Sequence, residues 1–222
     1  VMPWPERIYT RPYSVAGTDK KILIPKTYST QMQIMINALN NIQVSENKVS
    51  GDQGIAVAMS NSLMFQTFPN HDDYRDPNFS NFYGQTFPLL KRGIPVSTVH
   101  LENLGYPQSL QDKKILILSY SNMKPNNPEE HEYLAKWIKK GGVLVYAGAD
   151  NDPYLQVKEW WNTGDFSYKK PIEHLTDLLN IDYPEVNKVY QAGKGKVYFI
   201  KQNPKDFVMN KNGDEAFLNT VN

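Results

Sequence analysis

The chain has 222 residues and no cysteine, and its 24 Lys and Arg residues nearly balance its 23 Asp and Glu residues, giving a net charge of +1. This length suits one α/β core, or one core with a small fragment of another. A charge so near zero provides no global field to attract nucleic acid, and no apolar stretch approaches the roughly 18 residues that span a bilayer. The absence of cysteine excludes disulfides, thiolate metal ligands and cysteine nucleophiles. We therefore expect a soluble protein with neither a nucleic-acid nor a membrane partner.

The first fifty residues predict an arm and one helix. The sequence opens at Val1 without a basic region or a long apolar region, so we expect the numbering to begin inside a longer or processed polypeptide. Dense prolines predict an extended arm over residues 1–20. A short strand at Ile22–Ile24 and a helix at Thr30–Asn40 follow, and the polar stretch Asn40–Gly51 indicates a boundary.

A strand, a helix and a second strand are predicted next. Gly54–Met59 is an apolar run that leads into a loop at Ser60–Ser62, and Phe65–Asn81 is too broken by proline to be regular. Tyr83–Arg92 predicts a helix whose internal proline must lie in the first turn or form a kink. Ile94–Val99 predicts a strand at an edge, or one whose proline lies among its first residues.

The segment Lys113–Asp150 carries the strongest structural signal. Ile115–Leu118 and Val143–Ala147 are continuous apolar runs, typical of strands covered on both faces. Between them Asn127 is a candidate N-cap and Pro128 opens a helix that a glycine pair ends. A helical crossover between two buried strands makes them parallel, so we predict an α/β fold: a three-layer α/β/α sandwich with a mainly parallel, flavodoxin- or Rossmann-like sheet.

The last third of the chain predicts a loop, a helix and a hairpin. Asn151–Lys170 is a polar and aromatic connection, and Pro171–Leu179 is a helix with proline at its start. Val186–Gln191 and Lys196–Ile200 bracket a glycine turn and predict a C-terminal β-hairpin. The pattern fades after Pro204.

The carboxyl ends of parallel strands are where such sheets bind ligands. Asp150 and Asp152 follow one strand and adjoin an aromatic loop, and carboxylates beside aromatic rings suit the binding of sugars. The aromatic residues expected to contact a ligand are Tyr154, Trp160 and Trp161. The alternative is that the aspartates cap the loop while the tryptophans pack it down.

A second set of polar residues follows two other strands. Ser60 and Asn61 come after the first strand of the sheet, and Ser119 and Asn122 come after Ile115–Leu118. These side chains are candidate polar contacts for a small molecule bound at the strand ends.

Several motifs point away from catalysis and from cofactors. Gly193–Lys196 lies between two strands, whereas a phosphate-binding loop needs a strand and a helix. The turn Ala147–Ala149 has the small residues of a nucleophile elbow but no hydroxyl or thiol. The four histidines are scattered, without helical spacing: His71, His100, His131 and His174. We therefore predict no catalytic residue in this domain, no metal and no cofactor.

The order of these elements resembles a class I glutamine amidotransferase-like domain. In particular it resembles the middle, trimerisation domain of family 42 β-galactosidases and related glycoside hydrolases. The likeness spans roughly 51–202 and is carried by the helix stop Lys139–Val145 and by Gly193–Val197. Active amidotransferases use a cysteine at the elbow, where this chain has Ala147–Ala149, so the resemblance implies no glutaminase activity.

The resemblance implies a non-catalytic accessory or assembly domain of a larger carbohydrate-active glycoside hydrolase, bacterial and exported. Residues 1–50 would then end a preceding barrel domain, 51–202 would form the amidotransferase-like domain, and 203–222 a tail. The implied partners are a carbohydrate or a neighbouring domain or subunit, including a homo-oligomer. Two alternatives stay open: a hydrolase that uses Asp150 or Asp152 near Ser119, and a sugar-binding module.

Overall fold

The structure is a computed structural model that describes residues 10–42, 51–65, 78–121, 123–149, 155, 157–182, 184–185 and 188–221. Its contacts divide the chain into two compact units, Val1–Val49 and Ser50–Asn222.

The first unit contains a small hairpin and one helix. Strands β1 (Tyr13–Ser14) and β2 (Lys21–Ile22) pair antiparallel. Helix α1 (Lys26–Asn41) begins four residues before the predicted start, directly after Pro25, which suits the position because its missing N–H leaves no helical bond unmade. No residue of α1 is buried.

The second unit is built on a six-stranded sheet with the order β4-β3-β5-β6-β8-β7. The strands are β3 (Ile55–Met59), β4 (Ser97–His100), β5 (Ile115–Leu118), β6 (Val143–Ala147), β7 (Val189–Ala192) and β8 (Gly195–Ile200). All neighbouring pairs are parallel except β7 and β8, which form the predicted antiparallel hairpin. The predicted α/β class, the mainly parallel sheet and the C-terminal hairpin are confirmed.

Helices cover both faces of this sheet. They are α2 (Ser62–Phe65), α3 (Asn78–Leu90), α4 (Pro128–Lys139), α5 (Pro171–Leu178), α6 (Asp206–Met209) and α7 (Glu215–Val221). On one face Leu116 and Leu144 belong to a core with residues of α4 and α5, including Leu134. On the other, Ile117 and Val145 belong to a core with residues of α3, α6 and α7. Neighbouring strand residues thus enter opposite cores, as expected of strands buried on both faces.

The order of the parallel strands reverses at β3. The chain passes from β3 to β4 on one side and then returns to β5 on the other side of β3. In such sheets the crevice at the carboxyl ends of the two diverging strands is a common ligand site. The loops after β3, β4 and β5 therefore meet at this switch point.

Local signals explain where the helices begin. The Asn127 side chain accepts a hydrogen bond of 3.1 Å from the Glu130 backbone N–H, so it is the N-cap that the sequence predicted for α4. Helix α3 begins at Asn78, five residues before the predicted start, so Pro88 lies near its end rather than in its first turn. None of the helices in the described part of the chain is long and apolar enough to cross a membrane.

The region after Pro204, where the sequence pattern fades, contains helices α6 and α7. Phe207 and Phe217 stack with ring centroids 4.8 Å apart, and both are fully buried. These residues belong to the second unit, whose sheet they cover on one face.

Candidate functional site

Hydrogen-bonding groups follow five of the strands at the carboxyl edge of the sheet. They are the side chains of Ser60 after β3, Glu102 after β4, Ser121 after β5 and Lys201 after β8, and the backbone of Ala149 after β6. Two groups of contacts form here: a cavity beside β5, β6 and β8, and a carboxylate network at the switch point.

The cavity has a volume of about 650 Å³, within the range typical of sites for small organic ligands. Three aromatic residues line it, namely Tyr120, Tyr146 and Phe199, together with the polar residues Ser121, Lys170, Glu173, Thr176, Glu185 and Lys201. The backbone of Gly148 and Ala149, in the turn after β6, completes part of the wall. This mixture of ring faces and hydrogen-bonding groups suits a ligand with both apolar and hydroxyl surfaces.

Two histidines lie behind the cavity wall. The Tyr120 hydroxyl lies 2.6 Å from His131 Nε2, and His131 Nδ1 lies 3.0 Å from His174 Nδ1. All three residues are buried, with exposed fractions of 2%, 0% and 6%. Helix α4 provides His131 and helix α5 provides His174, so the packing of these two helices brings the pair together.

Burial keeps both histidines neutral. It lowers the pKa of His131 to about 3, with a further contribution from His174. Burial also lowers the pKa of His174, although the charges of Asp177 and Glu132 partly oppose this effect. For the same reason the pKa of the Tyr120 hydroxyl is raised well above its ordinary value. This chain of hydrogen bonds is therefore uncharged at neutral pH.

The second group of contacts joins three loops through Glu102. Its Oε1 accepts hydrogen bonds from the Ser60 hydroxyl at 2.8 Å, the Asn61 backbone N–H at 2.7 Å and the Asn126 side-chain amide at 2.8 Å. Burial raises the pKa of Glu102, but these hydrogen bonds outweigh it and leave the pKa below its ordinary value. Glu102 is thus an ionised acceptor that ties the ends of β3, β4 and β5.

A second carboxylate lies close to this network. Glu130 is 3% exposed, and its Oε2 accepts a hydrogen bond of 3.1 Å from the Asn126 backbone N–H. Burial raises its pKa to about 7, and the charges of Glu102 and Glu129 act in the same direction. Its Oε1 is buried without a hydrogen-bond partner among the described residues. Two carboxylates joined through Asn126 therefore have pKa values shifted in opposite directions.

The structure places the predicted polar residues in different roles. Ser60 is fully buried and bonds Glu102, while the exposed Asn61 contributes its backbone N–H to the same carboxylate. Ser119 is 1% exposed, and its hydroxyl accepts a hydrogen bond of 3.1 Å from the Ser121 backbone N–H. The structure therefore brings Ser60 and Asn61 together and keeps Ser119 within its own turn.

The two predicted tryptophans pack against the protein. Trp160 is partly buried, and its indole N–H donates to the Pro125 carbonyl at 2.9 Å. Trp161 is 1% exposed and belongs to the interior. The other four predicted contacts lie outside the described residues: Asn122, Asp150, Asp152 and Tyr154.

The backbone of the turn after β6 is held by two hydrogen bonds. The Gly148 N–H donates to the Ile200 carbonyl at 3.0 Å, and the Ala149 N–H donates to Asn203 Oδ1 at 3.3 Å. Both residues line the cavity. The backbone of this turn is fixed to the end of β8 and contributes no reactive side chain of its own at Gly148 or Ala149.

Sequence reasoning missed the residues that define both groups of contacts. His131 and His174 lie 43 positions apart in the sequence, so no helical spacing could join them. One signal was present, because His131 lies three residues before Leu134 and seven before Ile138, on the buried stripe of α4. Glu130 lies in the first turn of α4, where an acidic residue is expected simply because it complements the helix dipole.

Within the described residues, no group of three or more His, Cys, Asp or Glu side chains is placed to hold a metal ion.

The chain matches no protein-family model and no curated protein sequence, so comparison with known proteins assigns it to no family.

Proposed function

We propose that this chain is a non-catalytic, amidotransferase-like accessory domain of a larger carbohydrate-active hydrolase, and that its cavity binds a sugar. The observation that carries this proposal is the turn after β6. It lies at the cavity wall, where an active member of the amidotransferase class would hold its nucleophile, and here it consists of Gly148 and Ala149.

The lining of the cavity supports a saccharide over an entirely apolar ligand. Tyr120, Tyr146 and Phe199 offer ring faces, against which the C–H face of a sugar ring packs. Glu173 and Thr176 offer oxygen atoms from α5 for hydroxyl groups. Cavities of this size accommodate one or two sugar rings, because ligand sites of roughly 300–1,000 Å³ hold small organic molecules.

The arrangement around Ser119 favours the accessory role over a hydrolase. A serine nucleophile needs an adjacent base and an exposed hydroxyl. The Ser119 hydroxyl is buried and accepts a backbone hydrogen bond instead. A hydrolase based on Asp150 and Asp152 is the competing proposal, and the experiment below separates the two.

The test is ligand-observed NMR with a panel of neutral mono- and disaccharides. We expect binding to the wild-type protein and loss of binding in Ala149→Trp, which places an indole in the cavity. Ala38→Trp, on the exposed α1, is the control for nonspecific stacking of sugars on an added tryptophan. Silence across the panel, or equal binding by Ala149→Trp and the wild type, would contradict the sugar site.

Catalysis is tested in parallel with chromogenic glycosides. We expect no turnover by this chain. Turnover that disappears in the folded double variant Asp150→Asn, Asp152→Asn would overturn the non-catalytic assignment in favour of the hydrolase.

A further inference from the structure

The contact between helices α4 and α5 contains a hydrogen-bonded pair of imidazoles. His131 Nδ1 and His174 Nδ1 lie 3.0 Å apart, and both residues are buried. A hydrogen bond of this length places its hydrogen about 2 Å from the acceptor, so a second hydrogen on the acceptor would lie only about 1 Å from the first. The gap between the rings therefore accommodates one proton, whichever ring carries it. Because an imidazolium has a proton on both nitrogens, two imidazolium rings cannot occupy these positions together.

Uncharged groups face both ring nitrogens of His131. Its Nε2 lies 2.6 Å from the Tyr120 hydroxyl, and its Nδ1 faces His174. Next to Tyr120 lie the ring of Tyr146, with 5.8 Å between centroids, and Lys124 Nζ, which donates to the Tyr120 carbonyl at 2.6 Å. An added proton on His131 would therefore place a positive charge in the interior with uncharged groups at both nitrogens. This cost of burial is why the pKa of His131 is lowered to about 3.

The acidic residues near His174 do not compensate for its burial. The charges of Asp177 and Glu132 raise the pKa of His174, but burial outweighs them and leaves that pKa below its ordinary value. Asp177 also accepts a hydrogen bond of 2.8 Å from the Tyr168 hydroxyl, and the Glu132 side chain is 53% exposed. The charge of Glu173 acts on Tyr168. The closed pair thus resists protons that a solvated imidazole would bind.

We infer that the His131–His174 pair is an acid-sensitive contact that holds α5 against α4 and so holds one wall of the cavity in place. Helix α5 provides the lining residues Ile172, Glu173 and Thr176. It has eight residues and no side-chain N-cap, whereas α4 has twelve residues and a side-chain cap. When acid protonates the pair, α5 separates from α4 and the cavity loses this wall. The inference holds for any ligand of the cavity and is independent of the proposed function.

The lowered pKa values determine the sign of the pH dependence. Below the ordinary pKa of 6.5 an opened pair binds protons that the closed pair excludes, so the contact is fully stable above about 6.5 and weakens as the pH falls towards about 3. Between about pH 7 and about pH 5 the equilibrium constant for opening of α5 should rise roughly 20-fold for one histidine and more for two. Glu130, whose charge acts on Tyr120, has a raised pKa and acts in the opposite direction. Its effect is common to the wild type and the variant described next.

Amide hydrogen exchange at about pH 7 and about pH 5, corrected for the pH dependence of the chemical exchange rate, measures this opening. In the wild type we expect the protection of the α5 amides to fall roughly 20-fold or more, while the amides of β5 and β6 stay protected. The double variant His131→Gln, His174→Phe keeps an amide to bond the Tyr120 hydroxyl and an aromatic ring beside Trp160, but it has no titrating ring at the contact. It is expected to show no such fall. Unchanged protection of α5 in the wild type, an equal fall in the strands, or the same fall in the variant would overturn the inference.

A second measurement on the wild type decides the question if the double variant does not fold. The NMR chemical shifts of the histidine rings report protonation across the same pH range. While α5 remains protected, we expect His131 and His174 to keep the signals of neutral imidazoles. Titration of either ring near the ordinary pKa of 6.5 with α5 still protected would show that the closed contact accepts a proton, and would overturn the inference.

Discussion

The Glu102 carboxylate, which follows β4, accepts a hydrogen bond of 2.8 Å from the Ser60 hydroxyl, which follows β3. The Asn61 backbone and the Asn126 side chain donate to the same oxygen. One carboxylate therefore joins the loops at the switch point of the sheet.

We expect Glu102→Ala to lower the free energy of unfolding by about 2–4 kcal/mol, because three donors lose a charged acceptor. Glu102→Gln keeps an acceptor oxygen without the charge and is expected to lose about half as much. Urea unfolding at neutral pH measures both. Glu132→Ala is the control, because this side chain is 53% exposed with a single ion-pair contact of 3.9 Å. A loss in Glu102→Ala no larger than that of the control would contradict this role.

Glu130 makes stability depend on pH near neutrality. Burial raises its pKa to about 7 in the folded protein, above the ordinary value of 4.5. Between these values the folded state holds a proton that the unfolded state has released, so stability falls as the pH rises from about 4.5 through about 7.

Glu130→Gln mimics the protonated acid and removes this loss. We expect the variant to match the wild type at about pH 4 and to exceed it by about 1–2 kcal/mol at about pH 9. Thermal and urea unfolding across this range measure the difference. Glu132→Gln, exposed on the same helix, is expected to show no such divergence with pH. Parallel pH profiles for the wild type and Glu130→Gln would refute the assignment.

The pair formed by Asp52 and Lys113 acts in the opposite direction. The Lys113 side chain, with help from Ser97, lowers the pKa of Asp52 to about 2. A lowered pKa means that the pair stabilises the fold above the unfolded-state pKa of 3.8 and that this contribution is lost as the pH falls towards about 2.

We expect Asp52→Asn to cost about 1 kcal/mol at neutral pH, since solvent reaches both side chains, and much less at about pH 2. Unfolding curves of the wild type and Asp52→Asn should therefore converge on acidification. Lys113→Met serves as the partner variant, and the double variant should lose no more than either single one. Additive losses would show that the two residues do not interact.

Gly195 begins β8 at a point where no side chain fits. A Cβ atom added there would lie 2.0 Å from the Ile138 carbonyl oxygen and 2.3 Å from that of Gly142. We expect Gly195→Ala to destabilise the protein by about 3 kcal/mol or more, because both obstacles are backbone atoms. Gly105→Ala, whose nearest contact would be 3.4 Å from the Tyr133 hydroxyl, is the control and should change stability little. Equal stability of the two variants would contradict this account.

The sequence predicted the parts of the fold that have local causes. The bounds of β5 and β6 and the Asn127 cap were correct, because continuous apolar runs and capping residues act over a few positions. The start of α3 differs from the prediction because the residues around Asn78 alternate between polar and aromatic types, follow a proline and form no clear apolar stripe.

The contacts of the site could be predicted only in part. Parallel strands place their following loops at one edge, and Ser60 and Asn61 lie together there, both bonded to Glu102. The partner of Ser60 could not be read from the sequence, because Glu102 lies 42 positions away and meets it only through the strand order. The histidine pair likewise depends on the packing of α4 against α5.

The position of β8 between β6 and β7 has a consequence during synthesis on the ribosome. Until residues 195–200 have been translated, β6 presents an unpaired row of backbone N–H and C=O groups, a template for the strands of other nascent chains. The hairpin then closes that edge and leaves the four-residue β7 outermost, too short to recruit further strands effectively. Chains interrupted shortly before Gly195 should therefore aggregate more readily than chains that include β8.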